Sequence, residues 1–442
     1  GFFAPSGPRG LVRDQSNELF VNQADLRVVT ESDTLTNTLV VGGSLAWEDY
    51  GITTAQLLRN PDGSAVTAIP PILLADPDTV YAGPINKTVT AQSDSDTRNA
   101  ALYAFDTLEL GLVELNAGVR WETNDATFRN VPLASYPPGT TPLTPAQLEP
   151  QHSDEELFSY RFGAVFKPTD DVSLYAAYGN AKTPSSATVR LGCGTISAPG
   201  AADPCATAPE TAETFEVGAK ANVLDGHLQL TAALFRNERS NFRVPSNDPS
   251  QPAALQVLDG RARVDGIALG ASGSITANWT IFANYTYLDA EVLQSVSDFC
   301  LATPAASGCA NSAAVPDPQA GQDMLQTPKH AGSLFTTYRF GFGLEVGYGM
   351  TYQGAFALNN RVLANGVVTP QFRSDDYLVH RLFVSYPLTD HLTAQLNVQN
   401  LTDELYYTAI RNNVNATSGA ITGGWAAPGE ARSAVLSVFY SF

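Results

Sequence analysis

The sequence predicts an all-β chain, an up-and-down antiparallel transmembrane β-barrel with about 15 strands. Three observations predict it. Apolar and polar residues alternate with period 2 over long stretches, which is how a strand with one apolar and one polar face reads. Short turns alternate strictly with long loops along the chain, as an up-and-down meander with one elaborated end requires. Charged residues make up only 16% of the 442, against 10% aromatics and 35 glycines, a balance that leans towards β structure.

Taken in order, the strands are expected near 19–31, 35–49, 97–108, 112–124, 154–167, 171–182, 211–223, 227–244, 255–274, 278–291, 326–339, 342–358, 372–387, 390–402 and 431–442. In "VELNAGVRWE", Val113, Leu115, Ala117, Val119 and Trp121 share one face, and Glu114, Asn116, Gly118, Arg120 and Glu122 share the other. In "GLEVGYGMTYQG", Leu344, Val346, Tyr348, Met350 and Tyr352 oppose Glu345, Gly347, Gly349, Thr351 and Gln353. "HLTAQLNVQN" repeats the pattern with Leu392, Ala394, Leu396 and Val398. "YLVHRLFVSY" breaks it once, by placing His380 on the apolar face. Turns such as "KPTDD", "VLDGH", "TANW" and "PLTDH" close one end; long loops near 50–96, 125–153, 183–210, 292–325 and 403–430, with shorter ones at 245–254 and 359–371, form the other.

A soluble β-sandwich rarely uses strands of such length. A membrane barrel needs them, tilted, with apolar residues towards lipid and polar ones towards the lumen. Trp121, Trp279, Tyr287, Tyr352, Tyr386, Tyr440 and Phe442 suit interfacial girdles. No window approaches the roughly 18 apolar residues of a membrane-spanning helix. The terminal "ARSAVLSVFYSF" gives Ala434, Leu436, Val438, Tyr440 and Phe442 to a lipid face and Ser433, Ser437 and Ser441 to the lumen. Its outer edge is expected to pair with the barrel's first strand, since an open edge invites aggregation. The opening "GFFAPSGPRG" has neither a basic n-region nor an apolar h-region, so a signal peptide has been removed or the chain is part of something longer.

Cys193 with Cys205, and Cys300 with Cys309, fall in two Pro/Ala/Ser/Gly-rich segments. Short spacing and loop surroundings favour two disulfides and an oxidising compartment over buried thiols. Each would restrict its loop by about 2–4 kcal/mol. No histidine lies near either pair, so neither reads as a metal site. The formal charge of −19 argues against a nucleic-acid surface, which needs a basic stripe.

Several stretches together resemble the C-terminal barrel portion of a TonB-dependent outer-membrane receptor. "LNVQNLTDELYY" resembles the family's penultimate-strand motif, an Asn-Leu-x-Asp followed by paired tyrosines. "TRNAALYAFDTLELGLVELNAGVRWE", "AETFEVGAKANVLDGHLQLTAALFRNERSNFRVP" and "QVLDGRARVDGIALGASGSITANWTIFANYTYLDAE" are similar to its successive hairpins. The last two look most like the catecholate siderophore receptors, and ending on an aromatic resembles a barrel-insertion signal. The resemblance implies a 22-stranded barrel of which residues 1–442 supply the last 15 strands, with the plug domain absent. It also implies a bacterial outer-membrane location, a monomer surrounded by outer-membrane lipid, and TonB acting through a plug segment this chain lacks.

No catalytic constellation is present: His152, His227, His330, His380 and His391 stand apart from any nucleophile motif, so the chain does not read as an enzyme. "NPDGS" and "SDSDT" lack the spacing of a calcium loop, and no metal site or bound cofactor is expected. The transported ligand the resemblance implies is an Fe3+-siderophore complex. A ferric catecholate is a large anion with aromatic faces, so it calls for cations and stacking rings. Loop candidates are Arg190, Arg361, Arg411, Tyr81, Tyr136 and Trp425, drawn from a wider set that includes Arg59, Lys87, Lys182 and Tyr50. Arg190 stands out because it precedes Cys193. The acidic balance opposes strong long-range attraction of an anion. The alternatives are haem, cobalamin or a sugar as ligand, or a passive porin-like barrel.

Overall fold

A computed structural model of the chain describes residues 2–3, 10–66, 71–73, 75–76, 78, 80–133, 141–184, 209–250, 256–364, 366–415, 418 and 420–442. One sheet dominates. Its strands are β1 (Leu11–Glu31), β2 (Thr36–Gln56), β3 (Thr88–Leu110), β4 (Val113–Asn130), β5 (Gln151–Thr169), β6 (Val172–Thr183), β7 (Glu210–Val223) and β8 (Leu228–Pro245). They continue with β9 (Gln256–Thr276), β10 (Trp279–Gln294), β11 (His330–Arg339), β12 (Glu345–Gln353), β13 (Tyr377–Thr389), β14 (Leu392–Gln399) and β15 (Ser433–Tyr440). Each pairs antiparallel with its neighbour in chain order. The meander of fifteen strands that the alternation predicts is therefore present.

The two faces sort as the sequence pattern dictates. On β3, Leu102 is 63% exposed while Tyr103, one residue on, is 8% exposed. Val113, Leu115, Val119 and Trp121 are all exposed on the outer face of β4, and Arg120 and Glu122 pair at 2.8 Å on the inner one. Register keeps like with like: Leu396 lies opposite Leu436, and Ala394 opposite Val438. A one-residue slip would invert every such row. At the turn end, Gly111 takes a φ of 58°, the left-handed conformation that a two-residue hairpin between β3 and β4 demands.

His380 does sit on the outer face. Its Nδ1 shares a 2.6 Å hydrogen bond with the Tyr348 hydroxyl, which gives a polar ring on an apolar face its partner.

Two expectations need correction. Among the described residues β15 pairs with β14 alone and β1 with β2 alone, so the sheet does not close and the last strand's outer edge is not paired with the first. Antiparallel closure needs an even strand number, and fifteen leaves two edges. Several strands also run further towards the long loops than the alternation suggested. β2 reaches Gln56, β3 begins at Thr88, and β4 continues to Asn130. There the sheet has polar residues on both faces, such as Ser93, Asp94, Ser95 and Asp96, and the apolar–polar contrast that marks a strand is gone.

Candidate functional site: the collar of long loops

The long connections lie at one end of the sheet, and the described parts of four of them, those after β8, β10, β12 and β14, hold one another. The loop after β10 carries a short helix, Asp298–Ala302, capped by Ser297. Cys300 and Cys309 form a disulfide there, as their spacing implied. Ser297 is buried; its hydroxyl donates to the Ser246 carbonyl at 2.6 Å and accepts from the Cys300 amide. The disulfide loop is thereby fastened to the loop after β8, where Asn247 also contacts Cys300 Sγ at 3.6 Å.

The next fastening joins the disulfide loop to the loop between β12 and β13. Arg373 bonds the Asp323 carboxylate, and the Gln371 amide donates to the Asp323 carbonyl at 2.8 Å. Lys329 Nζ lies 3.4 Å from the same carboxylate and 3.1 Å from Asp289. Burial pushes the Asp323 pKa up, but the Arg373 bond and the charges of Lys329 and Arg373 outweigh it and hold the carboxyl below its ordinary value. A bridge between Leu325 and Ala357, the latter fully buried, completes the joint.

The last loop is a two-stranded hairpin, Tyr407–Val414 with Ile421–Pro428. Asn400 and Asp403 of the "NLTDE" motif build its base. Asn400 is 1% exposed and takes a φ of 46°. Its amide donates to the carbonyls of Glu404 and Glu430 at 2.8 and 2.9 Å and its oxygen accepts from the Glu404 amide at 2.8 Å. Asp403 accepts from the Arg432 amide at 3.1 Å. Tyr406 packs tilted against Tyr377, ring centroids 4.7 Å apart, and lies over Gly429, where a Cβ would meet the ring at 2.1 Å. The hairpin's other face leans on the neighbouring loop through Asn412 and Asn359, 3.5 Å apart.

The expected ligand residues divide three ways. Arg411 and Trp425 are register partners across the last hairpin and both are exposed. Arg361 is on the loop beside them; its Nε donates to the Thr369 carbonyl at 3.2 Å. Among the described residues neither Arg361 nor Arg411 has an acidic partner, whereas Arg373 and Arg432 do. Tyr81 is turned into its own loop, its hydroxyl donating to the Pro84 carbonyl at 3.2 Å. Arg190, Tyr136, Cys193 and Cys205 lie outside the described residues. Of the wider set, Arg59 is buried and reaches Gly63 at 3.4 Å, and Lys182 donates to Thr211 at 2.8 Å. Asn359, Asn412, Asp323 and Arg373 organise the collar and carry no periodic signal by which the sequence could have shown them.

Below the collar the inner face bears paired charges. Glu114 meets Lys167 at 2.9 Å and Arg339 meets Glu345 at 2.7 Å. These wall residues satisfy one another across adjacent strands.

A long antiparallel wall, apolar outside and polar inside, with an interlocked collar at one end, defines a membrane-barrel receptor as a class. Residues 4–401 match the family described as TonB dependent receptor-like, beta-barrel, and the chain belongs to that family. It is 29% identical over 440 residues to a probable TonB-dependent receptor, BfrD, of Bordetella pertussis, covering 97% of this chain and 53% of the relative. It is 30% identical over 352 residues to the probable TonB-dependent siderophore receptor PiuA of Acinetobacter baumannii, covering 79% of this chain and 41% of that one. The solved PiuA structure superposes with a TM-score of 0.73 at 25% identity, covering 98% of this chain and 57% of the other. The ferric-catecholate import receptor Fiu of Escherichia coli K12 gives 0.72 at 24% identity, over 97% and 55%. The chain thus spans about half the length of the relatives it matches. The relatives and the fold are those of transport receptors, not enzymes.

Proposed function

We propose that the chain forms part of an outer-membrane receptor that imports a ferric siderophore, a catecholate, in a TonB-dependent manner. The observation that carries this reading is the Arg411–Trp425 pair, a cation and an indole side by side on the exposed face of the last hairpin. An anionic chelate with aromatic rings is suited to both. Arg361, which has no acidic partner among the described residues, adds a second charge on the adjoining loop. Arg190, Tyr136 and Tyr81 remain proposed contacts from the other loops. The likeness to PiuA and Fiu supports the ligand class.

On this reading the collar captures the chelate, TonB acts through a plug segment, and the wall is a monomeric barrel in outer-membrane lipid. The interlocked loops favour a partly preorganised mouth, which lowers the ordering cost of binding. The test is tryptophan quenching by the intact receptor in detergent, titrated with a ferric catecholate, a ferric hydroxamate, haem and cobalamin. Tight binding of the catecholate alone is expected, weakened about tenfold by Arg411→Ala, the scale of one lost charge-assisted contact. Binding of a different ligand alone would overturn the catecholate assignment and leave family membership intact.

A further inference from the structure

One arrangement occurs twice on the inner face of the wall. Across β3, β4 and β5, Phe105 lies opposite Gly118, and Gly118 lies opposite Arg161. Across β11, β12 and β13, Phe335 lies opposite Gly349, and Gly349 lies opposite Arg381. The glycine of the middle strand makes each row possible. A Cβ on Gly118 would run into the Phe105 ring, and one on Gly349 into Arg381 and Phe335. With only hydrogen there, ring and arginine lean over the middle strand from either side. Arg161 comes to rest over Phe105, its guanidinium carbon 4.6 Å from the ring centroid. β5 ends at Thr169 and β13 at Thr389, so the two arginines lie at the same remove from the turn ends of their strands.

Both arginines keep charge to spare. Elsewhere on the inner face, Arg120 is taken by Glu122, Arg239 by Glu210 and Arg339 by Glu345. Arg381 donates to the Thr351 hydroxyl at 2.8 Å, and neither it nor Arg161 has an acidic partner among the described residues. Both are exposed, and each borders a recess. The first, about 480 Å³, has Thr107, Asn116, Arg161, Ala177, Gly179 and Thr214 in its lining. Glu114 borders it too, but is neutralised by Lys167. The second, about 310 Å³, has Phe282, Asn284, Ser333, Phe335 and Arg381 in its lining.

We infer that the two Phe–Gly–Arg rows are transit sites for an anionic aromatic chelate moving from the collar along the wall towards the turn end. The guanidinium takes the anionic oxygens, and the phenyl ring offers the chelate's rings a face to lie on. The chemistry is that of Arg411 and Trp425 in the collar, repeated at depth. A chain of formal charge −19 gives an anion few such footholds. Exposed, singly charged contacts suit the task, because a transit site must release as readily as it binds. The inference rests on the siderophore-import reading and applies once the plug segment has moved aside.

The test is uptake of a radiolabelled ferric catecholate by cells carrying the intact receptor, beside collar affinity measured by tryptophan quenching in detergent. Arg161→Gln combined with Arg381→Gln should lower the maximal uptake rate about fivefold, the scale of lost exposed cation–aromatic contacts. The half-saturating concentration and the collar affinity should not move, which also shows that the variant folds. Phe105→Leu, which stays apolar and removes the aromatic face, should lower the rate about twofold. A maximal rate equal to wild type in the double variant, or a loss of collar affinity, overturns the inference. So does new sensitivity of the cells to vancomycin, because the arginines would then be holding the plug segment in place. Failure of the wild type to bind the catecholate at all is a different result: it removes the import reading, and these sites with it.

Discussion

The wall and the collar of this molecule are stabilised by different means. In the wall, each strand is held by a backbone ladder to its neighbours, and its large side chains on the outer face remain exposed: Leu102, Leu436 and Val438 all exceed half exposure. In the collar, buried side chains reach for backbone groups, as Asn400 does at three points and Ser297 at two. A wall of this kind depends on its solvent being lipid, because only there are the exposed leucines favourable. A collar of this kind depends on individual hydrogen bonds. The same chain therefore has two regions that should fail for unrelated reasons.

The largest effect should come from charging the wall's outer face. Val119 lies between Ala104 and Tyr160, within the apolar row of β4. Val119→Arg should destabilise folding into bilayers by roughly 2–4 kcal/mol, the scale for a charge near the midplane of a barrel. The control, Thr107→Arg on the inner face, should cost far less. Urea-dependent folding into liposomes would decide, and equal costs for the two would remove the distinction between lipid and lumen faces.

That distinction was legible in the sequence because period 2 is all it needs. Val113 to Trp121 declared both faces of β4, and the fifteen strands followed from repeats of the same signal. Legibility ended where the lipid ended. Beyond Trp121, the outward Asp125 and the inward Asn124 are both polar, and nothing marks the continuation to Asn130. The collar was nearly silent for a related reason: a side chain that bonds a distant carbonyl leaves no periodicity. The Cys300–Cys309 pair was readable from its short spacing and its loop surroundings. Asn400 was visible only as part of a family motif, and its physical role emerged from its burial and its three bonds. Asn359 and Asn412, which bring two loops together, had no signal at all.

A smaller effect should follow from breaking the collar's base. Asn400→Ala leaves two carbonyls and one amide without their partner in a buried place, and it puts alanine at a left-handed φ of 46°. The cost should be on the order of 2 kcal/mol. It should appear as faster proteolytic cleavage of the hairpin 407–428 with little change in liposome folding. If liposome folding weakened as much as under Val119→Arg, the wall and collar would not be separable.

The smallest effect concerns the joint at Asp323, and pH gives it a direction. Asp323 is held below its ordinary 3.8 despite partial burial, because Arg373 and Lys329 favour the charged form. Its stabilisation is therefore complete above that value and is lost as pH falls through the lower, folded one. Lys329 behaves oppositely: its bond to Asp289 comes first among the causes that raise it above 10.5. Its contribution is complete below that value and lost as pH rises through the folded one. The joint should hold across the neutral range and loosen at both extremes, each contact being worth roughly 0.2–1 kcal/mol given its exposure. Hydrogen exchange across 354–376, corrected for intrinsic rates, should rise on acidification in the wild type. Asp323→Asn should show the faster rate already at neutral pH and no further acid step from this group. An unchanged acid step in that variant would mean that another carboxylate governs the loop, and that the Arg373–Asp323 bond does not join the two halves of the collar.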